Sequence, residues 1–331
     1  MMGGRQTMPA EPVDQSRARF AAMFEGMKPL LPPPTDAVST ADVTVPSSGQ
    51  RVRIYNPTRT PGKLPVGLYI HSGGWYSGSI ENEDFLCRNV AENAEMVLYS
   101  VEYRLAPEHP FPAGLDDVCA AYEFMHETAA GNGADPTQKF IMGGSAGGNY
   151  TAAVGLKYAT NADFKAKGLC IFVPATCDPS ALPDEYKAKY TPERYEDAPV
   201  LGNDLVRQAR GKSTPCSGYV SRLFSMRAIY LHNPFTATEW YGAPAADPLY
   251  SVLLHPDIKH LPPCYIAACT KDPTHQDTLF FSEECKKQGV AADYVEWVGM
   301  PHFVWSLPML KKSQEFMSTW SKKLKDMNTA A

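Results

Sequence analysis

No stretch of this chain reaches about 18 uninterrupted apolar residues, the least that a membrane-spanning helix needs. Its opening residues, MMGGRQTMPAEPVDQSRARF, hold no apolar core of the length a secretion signal carries. Both absences point to a cytoplasmic protein with no membrane span. A basic run is lacking too. The net charge is -5 over 331 residues, so the electrostatic footprint of a nucleic-acid binder is missing and that partner class is set aside. Eight cysteines occur, yet there is no C-x-x-C pair and no Cys/His cluster at metal-ligand spacing. Cys87, Cys119, Cys170, Cys177, Cys216, Cys264, Cys269 and Cys285 therefore read as reduced, mostly buried thiols, and neither a metal site nor a cofactor is expected. No internal repeat is visible.

What is present centres on residues 139 to 149, KFIMGGSAGGN. An apolar run enters glycines broken by Ser145, and Tyr150 to Leu156 then reads as a helix. This is the G-x-S-x-G pattern of a nucleophile at a strand-to-helix corner. Small residues suit positions 143 and 147, because so tight a turn brings strand and helix backbones together. A plain glycine-rich βα turn or a dinucleotide loop is the bland alternative. The latter would want G-x-G-x-x-G at the first strand of a βαβ unit, with an acidic residue about 20 positions on.

Around this corner, apolar runs at 65–70, 96–103, 168–173, 264–269 and 291–298 alternate with helical patterns, which implies a parallel, doubly wound sheet. Two short alternating segments, Asp42 to Pro46 and Arg51 to Tyr55, look like a hairpin at its edge. Upstream, Val13, Phe20, Met23, Phe24 and Met27 recur at helical spacing. The stripe is either a surface helix docked on the core or a lid whose Phe and Met side chains face a ligand. Residues 174 to 262 are irregular, proline-rich and too long for an ordinary loop, so they read as a cap inserted into the sheet. The division expected is 1–40 for an N-terminal cap helix and linker, 41–173 with 263–331 for the core, and 174–262 for the insertion.

A serine nucleophile needs a base and a group to orient that base. Asp272 ends the strand CYIAACT, and His302 falls in the loop after the next helix and strand, an order and position that suit both roles. Asp277 shares the loop of Asp272, but its place near the start of a helix explains it sufficiently through the helix dipole. Glycines 73 and 74, directly after a strand, leave N–H groups available to a ligand. Trp75 and Tyr76 follow them and read either as pocket wall or as core aromatics. His71 reads as structural, pinning the glycine loop. His255, His260 and His275 match no metal pattern and read as surface or loop residues.

Taken together, HSGGW at 71–75, YRLAPEHPFPA at 103–113, GGSAGGN at 143–149, DP at 272–273 and PHF at 301–303 resemble the hormone-sensitive-lipase family of α/β-hydrolases, its plant and fungal carboxylesterase-like group. The resemblance runs from about residue 40 onward. It implies the α/β-hydrolase fold, with a mostly parallel sheet of about eight strands flanked by helices, capped by the N-terminal helix and the insertion. It also implies the triad Ser145, Asp272 and His302, an oxyanion hole from the amides of Gly73, Gly74 and Ala146, and Tyr103, Arg104 and Glu108 as scaffolding. Phe303 joins Phe20, Phe24, Trp75 and Tyr76 as substrate-facing candidates. The implied partner is a small or medium-sized ester, and oligomeric state stays open, a homodimer included. Relatives in that group also include lyases, dehydratases and cyclases, and receptors without turnover. Two positions depart from the pattern: Ser72 stands where the family has glycine, and Gly144 where it has aspartate.

Overall fold

The computed structural model describes residues 12–191, 240–306, 308 and 310–329; Cys216 and much of the insertion lie outside them. Eight strands form one sheet: β1 (Val38–Thr44), β2 (Arg51–Pro57), β3 (Leu64–Ile70), β4 (Val97–Val101), β5 (Ala134–Gly144), β6 (Gly168–Phe172), β7 (Cys264–Cys269) and β8 (Ala292–Trp297). Their order across the sheet is β1-β2-β4-β3-β5-β6-β7-β8. β1 pairs with β2 antiparallel, as the expected edge hairpin, and β2 pairs with β4 antiparallel as well. All other pairings are parallel. β1 begins at Val38 rather than Asp42. It is an edge strand exposed along most of its length, so hydrophobic alternation could not mark its start.

Strands β3, β4, β6 and β7, with β5 from Lys139 onward, are buried almost throughout, as a parallel sheet covered on both faces requires. The covering helices are α1 (Val13–Met27), α2 (Asp84–Ala94), α3 (Ala113–Thr128), α4 (Ala146–Lys157), the short α5 (Asp184–Lys187), α6 (His275–Lys287) and α7 (Lys311–Thr329). One apolar cluster gathers Leu115, Val118, Tyr122 and Met125 of α3 with α4 and one sheet face. The other gathers Phe316, Met317, Trp320 and Leu324 of α7 with α2, α1 and the opposite face. Among the described residues no helix is long and apolar enough to cross a membrane, and the seven described cysteines are free and buried.

The two ends of the inserted stretch are joined to each other. Leu253 N–H donates to Thr176 O at 3.0 Å, and Asp178 N–H donates to Ser251 Oγ at 2.9 Å. Asn149 on α4 gives its two Nδ2 hydrogens to Ala175 O and Tyr250 O, both at 2.8 Å.

Candidate active site

β5 lies mid-sheet and ends at Gly144, so Ser145 emerges at the carboxyl edge, where open α/β sheets gather their sites. The turn is severe: Ser145 has φ 57° and ψ -122°, a conformation rare for a residue with a side chain. It is held by Ser145 N–H on Phe172 O at 2.9 Å. The neighbouring glycines have a steric cause. A Cβ at Gly147 would sit 2.0 Å from Ile70 O, and one at Gly143 would sit 2.6 Å from Gly147 O.

The loop after β3 is fixed from behind. A trans peptide points its C=O and the following N–H in opposite directions. The Gly73 carbonyl accepts from Ser77 N–H at 2.9 Å and from Ser77 Oγ at 2.8 Å, which turns the Gly74 N–H the other way. The Ser72 carbonyl is 2.8 Å from His71 Nδ1; a carbonyl only accepts, so Nδ1 carries the proton. That contact sets the Gly73 N–H in the same manner. Burial pushes the His71 pKa down, keeping the ring neutral for this role. Tyr103 stacks on it with centroids 4.1 Å apart and donates its hydroxyl to His71 O at 3.1 Å. Gly73 at φ 127° and Gly74 at φ 61° use backbone regions that favour glycine. Two adjacent amides held in this way can receive a developing negative charge.

Asp272 follows β7 and His302 follows β8. His302 Nδ1 donates to Asp272 Oδ2 at 2.7 Å, with both side chains fully buried. The second oxygen, Oδ1, accepts from Thr274 N–H at 2.8 Å and faces Thr274 Oγ1 at 3.0 Å. A carboxylate so engaged fixes the imidazole tautomer and leaves Nε2 as the basic nitrogen. Asp277 points elsewhere. Although it lies in the first turn of α6, it is half-buried, and its Oδ1 accepts from Thr176 N–H at 3.1 Å across the sheet edge, a role that helix-dipole reasoning did not foresee.

The aromatic candidates divide. Phe20 and Phe24 of α1 stand with ring centroids 6.1 and 6.2 Å from Phe303, and Phe303 meets the His302 ring edge-on at 4.9 Å. Trp75, at φ 65°, stacks on Tyr241 at 4.7 Å within the main core. Tyr76 is buried, with its hydroxyl 3.0 Å from Ser16 Oγ. The 103–113 segment carries scaffolding contacts: Arg104 grips the buried Asp117 through Nε and Nη2, both at 2.9 Å, and Glu108 pairs with Arg17. His275 pairs with Glu296 at 2.9 Å. No group of three or more His, Cys, Asp or Glu residues is arranged to hold a metal among the described residues.

Three residues went unread in the sequence. Glu83 lies buried behind the glycine loop, Trp305 covers Gly144, and Arg17 ties α1 to Tyr76 O at 2.6 Å and Ala106 O at 2.7 Å. None sits in a motif; the one available signal was the pair of departures at 72 and 144, which required compensation from somewhere.

Residues 67–306 match the family model of the alpha/beta hydrolase fold. The versiconal hemiacetal acetate esterase of Dothistroma septosporum is 28% identical over 320 residues, covering 95% of this chain and 88% of that protein. The esterase of the same name from Aspergillus parasiticus is 32% identical over 280 residues, covering 84% and 78%. Carboxylesterase NlhH of Mycobacterium tuberculosis is 31% identical over 251 residues, covering 76% and 70%. Among solved structures, vibralactone cyclase superposes with a TM-score of 0.79 at 26% identity, covering 99% of this chain and 92% of that one.

Proposed function

The chain belongs to the α/β-hydrolase family, in its hormone-sensitive-lipase-like branch, and on that premise we propose that it hydrolyses carboxylic esters through a covalent acyl-enzyme. The observation that carries this reading is the fully buried His302–Asp272 contact at 2.7 Å. It is a base with fixed tautomer, set at the same sheet edge as a serine on a strained turn. Ser145 Oγ attacks the acyl carbon while its proton passes to His302 Nε2, and Asp272 stabilises the imidazolium formed. The carbonyl oxygen, now negative, accepts from the amides of Gly73, Gly74 and Ala146, each worth about 3 kcal/mol in comparable sites. The imidazolium returns the proton to the departing alkoxide. Water then repeats the steps on the acyl-enzyme and releases the acid. The cycle needs no metal or cofactor.

The substrate class is a small or medium-sized ester, with a secondary metabolite favoured by the two hemiacetal acetate esterases among the relatives. Phe20, Phe24 and Phe303 supply an apolar wall beside His302 for its acyl or alcohol part, with Trp75 and Tyr76 following the oxyanion glycines. The test is labelling by a fluorophosphonate together with aryl esters of increasing acyl length. Ser145→Ala should abolish labelling and lower kcat by about 10⁶; hydrolysis persisting in that variant removes Ser145 from the role. The likeness to vibralactone cyclase favours one second reading, in which a hydroxyl of the acyl group itself resolves the acyl-enzyme and closes a ring. Strong labelling without hydrolysis of any ester in the series puts that reading first. The presence of His302 counts against a receptor without turnover.

A further inference from the structure

Positions 72 and 144 depart from the family pattern in opposite senses: one gains a hydroxyl and the other loses a carboxylate. In the fold Ser72 meets the buried Glu83, and Gly144 meets Trp305, whose indole faces that same carboxylate. Ser72 Oγ donates to Glu83 Oε1 at 2.6 Å, and Ser72 N–H donates to Oε2 at 3.2 Å. Tyr69 OH donates to Oε2 at 2.7 Å, and Trp305 Nε1 faces Oε1 at 3.4 Å. The Trp305 ring occupies the space that a side chain at 144 would need, since a Cβ there would lie 2.7 Å from its Cη2. Glu83 is only 4% exposed and Trp305 3%. A buried carboxylate is tolerable when donors cover both oxygens, and here they come from three segments: the end of β3, the glycine loop and the loop of His302.

We infer that Glu83 is a positioning residue for the oxyanion hole. Its carboxylate holds Ser72 by N–H and hydroxyl while His71 holds the Ser72 carbonyl, so the peptide carrying the Gly73 N–H is fixed from both ends. Through Trp305 the same carboxylate ties that loop to the segment bearing His302. The charge missing before the nucleophile is thus replaced by one behind the amides that receive the substrate oxygen. The functional consequence rests on the esterase reading above; the positioning itself does not.

Two measurements separate these. In protein labelled with ¹⁵N-glycine, Glu83→Gln puts an amide NH₂ against donors and should shift or broaden the Gly73 and Gly74 resonances. Ser72→Ala, which deletes one of the contacts at little risk to folding, should do the same. Unmoved Gly73 and Gly74 resonances in Ser72→Ala overturn the clamp even if Glu83→Gln does not fold. In turnover, a displaced oxyanion donor should lower kcat about 10- to 100-fold with KM nearly unchanged. The two substitutions should combine less than additively, because both act on the one contact between the Ser72 hydroxyl and the side chain at 83. Additive losses, or a lower Tm with kcat intact, reduce Glu83 to a packing residue. Shifted glycine resonances in a protein that turns over no ester leave the clamp standing and overturn the esterase reading instead.

Discussion

Asp272 and Asp277 stand in one loop, and their surroundings assign them different work. Asp272 engages His302, so Asp272→Asn should cost roughly 10⁴ in kcat at neutral pH, while Asp277→Asn should leave kcat near wild type; the reverse ranking on one good substrate would exchange their roles. Burial, with repulsion from Asp272, pushes Asp277 up to about 7 against the pull of the Thr176 and Cys177 N–H groups. A carboxyl raised in the fold contributes stability that is whole below its unfolded value, near 3.8, and is lost as pH climbs to about 7. The Tm of Asp277→Asn should therefore gain on wild type between about pH 4 and 7, and a constant difference over that range would contradict the assignment. At Gly144, alanine should destabilise by about 1–3 kcal/mol through its approach to Trp305. Pairing it with Trp305→Leu should recover part of the loss in urea midpoint. Ser145, Asp272, His302 and the glycines could be proposed from motifs because reaction chemistry constrains residue type directly. Glu83 and Trp305 could not, because their partners lie 11 and 222 residues away, at Ser72 and Glu83 respectively, and only packing brings them together.

At the scale of elements, the helical stripe of α1 was legible: Phe20, Met23, Phe24 and Met27 are all buried. Periodicity says which face is covered, but not by what. The structure supplies that through Phe303 and through Arg17, whose guanidinium spans the Glu108 carboxylate at 2.6 and 2.8 Å and two backbone carbonyls. Glu108 is held at about 2, first by its hydrogen bond to Arg17, yet it is more than half exposed, so the ion pair is worth no more than about 1 kcal/mol and is screened by salt. Arg17→Ala should therefore raise KM for the larger esters more than it lowers Tm, and added salt should move wild type partway toward the variant. Equal kinetics on every ester would make α1 a packing element only. The first half of β5 was invisible for a different reason. After the buried Ala134, residues 135–138 carry no apolar run and are partly exposed, and backbone pairing of Leu64 with Ala134, rather than hydrophobicity, makes this part strand.

For the molecule as a whole, alternation of apolar runs and helical stripes was enough to imply a doubly wound sheet, because each period is imposed by burial on both faces. Strand order and the antiparallel pairing of β2 with β4 depend on contacts between distant segments and came from the structure. Irregular patterning suggested a boundary at 174, whereas the closure of the stretch on itself had no sign in the sequence. That closure makes the insertion a cassette. Thr176 and Leu253 are bonded to each other, and Asn149 holds Ala175 and Tyr250 at the foot of the helix after Ser145, while Trp75 stacks on Tyr241 and Gln276 bonds to Lys189 and Thr191, so among the described residues both arms of the insertion are anchored on the core. Beyond such anchors, chain length weighs little: closing a flexible loop of twice the length costs only about 0.6 kcal/mol more. The stretch between these anchors can thus change in length at little cost, while the contacts of Asn149 that hold its two ends stay as they are.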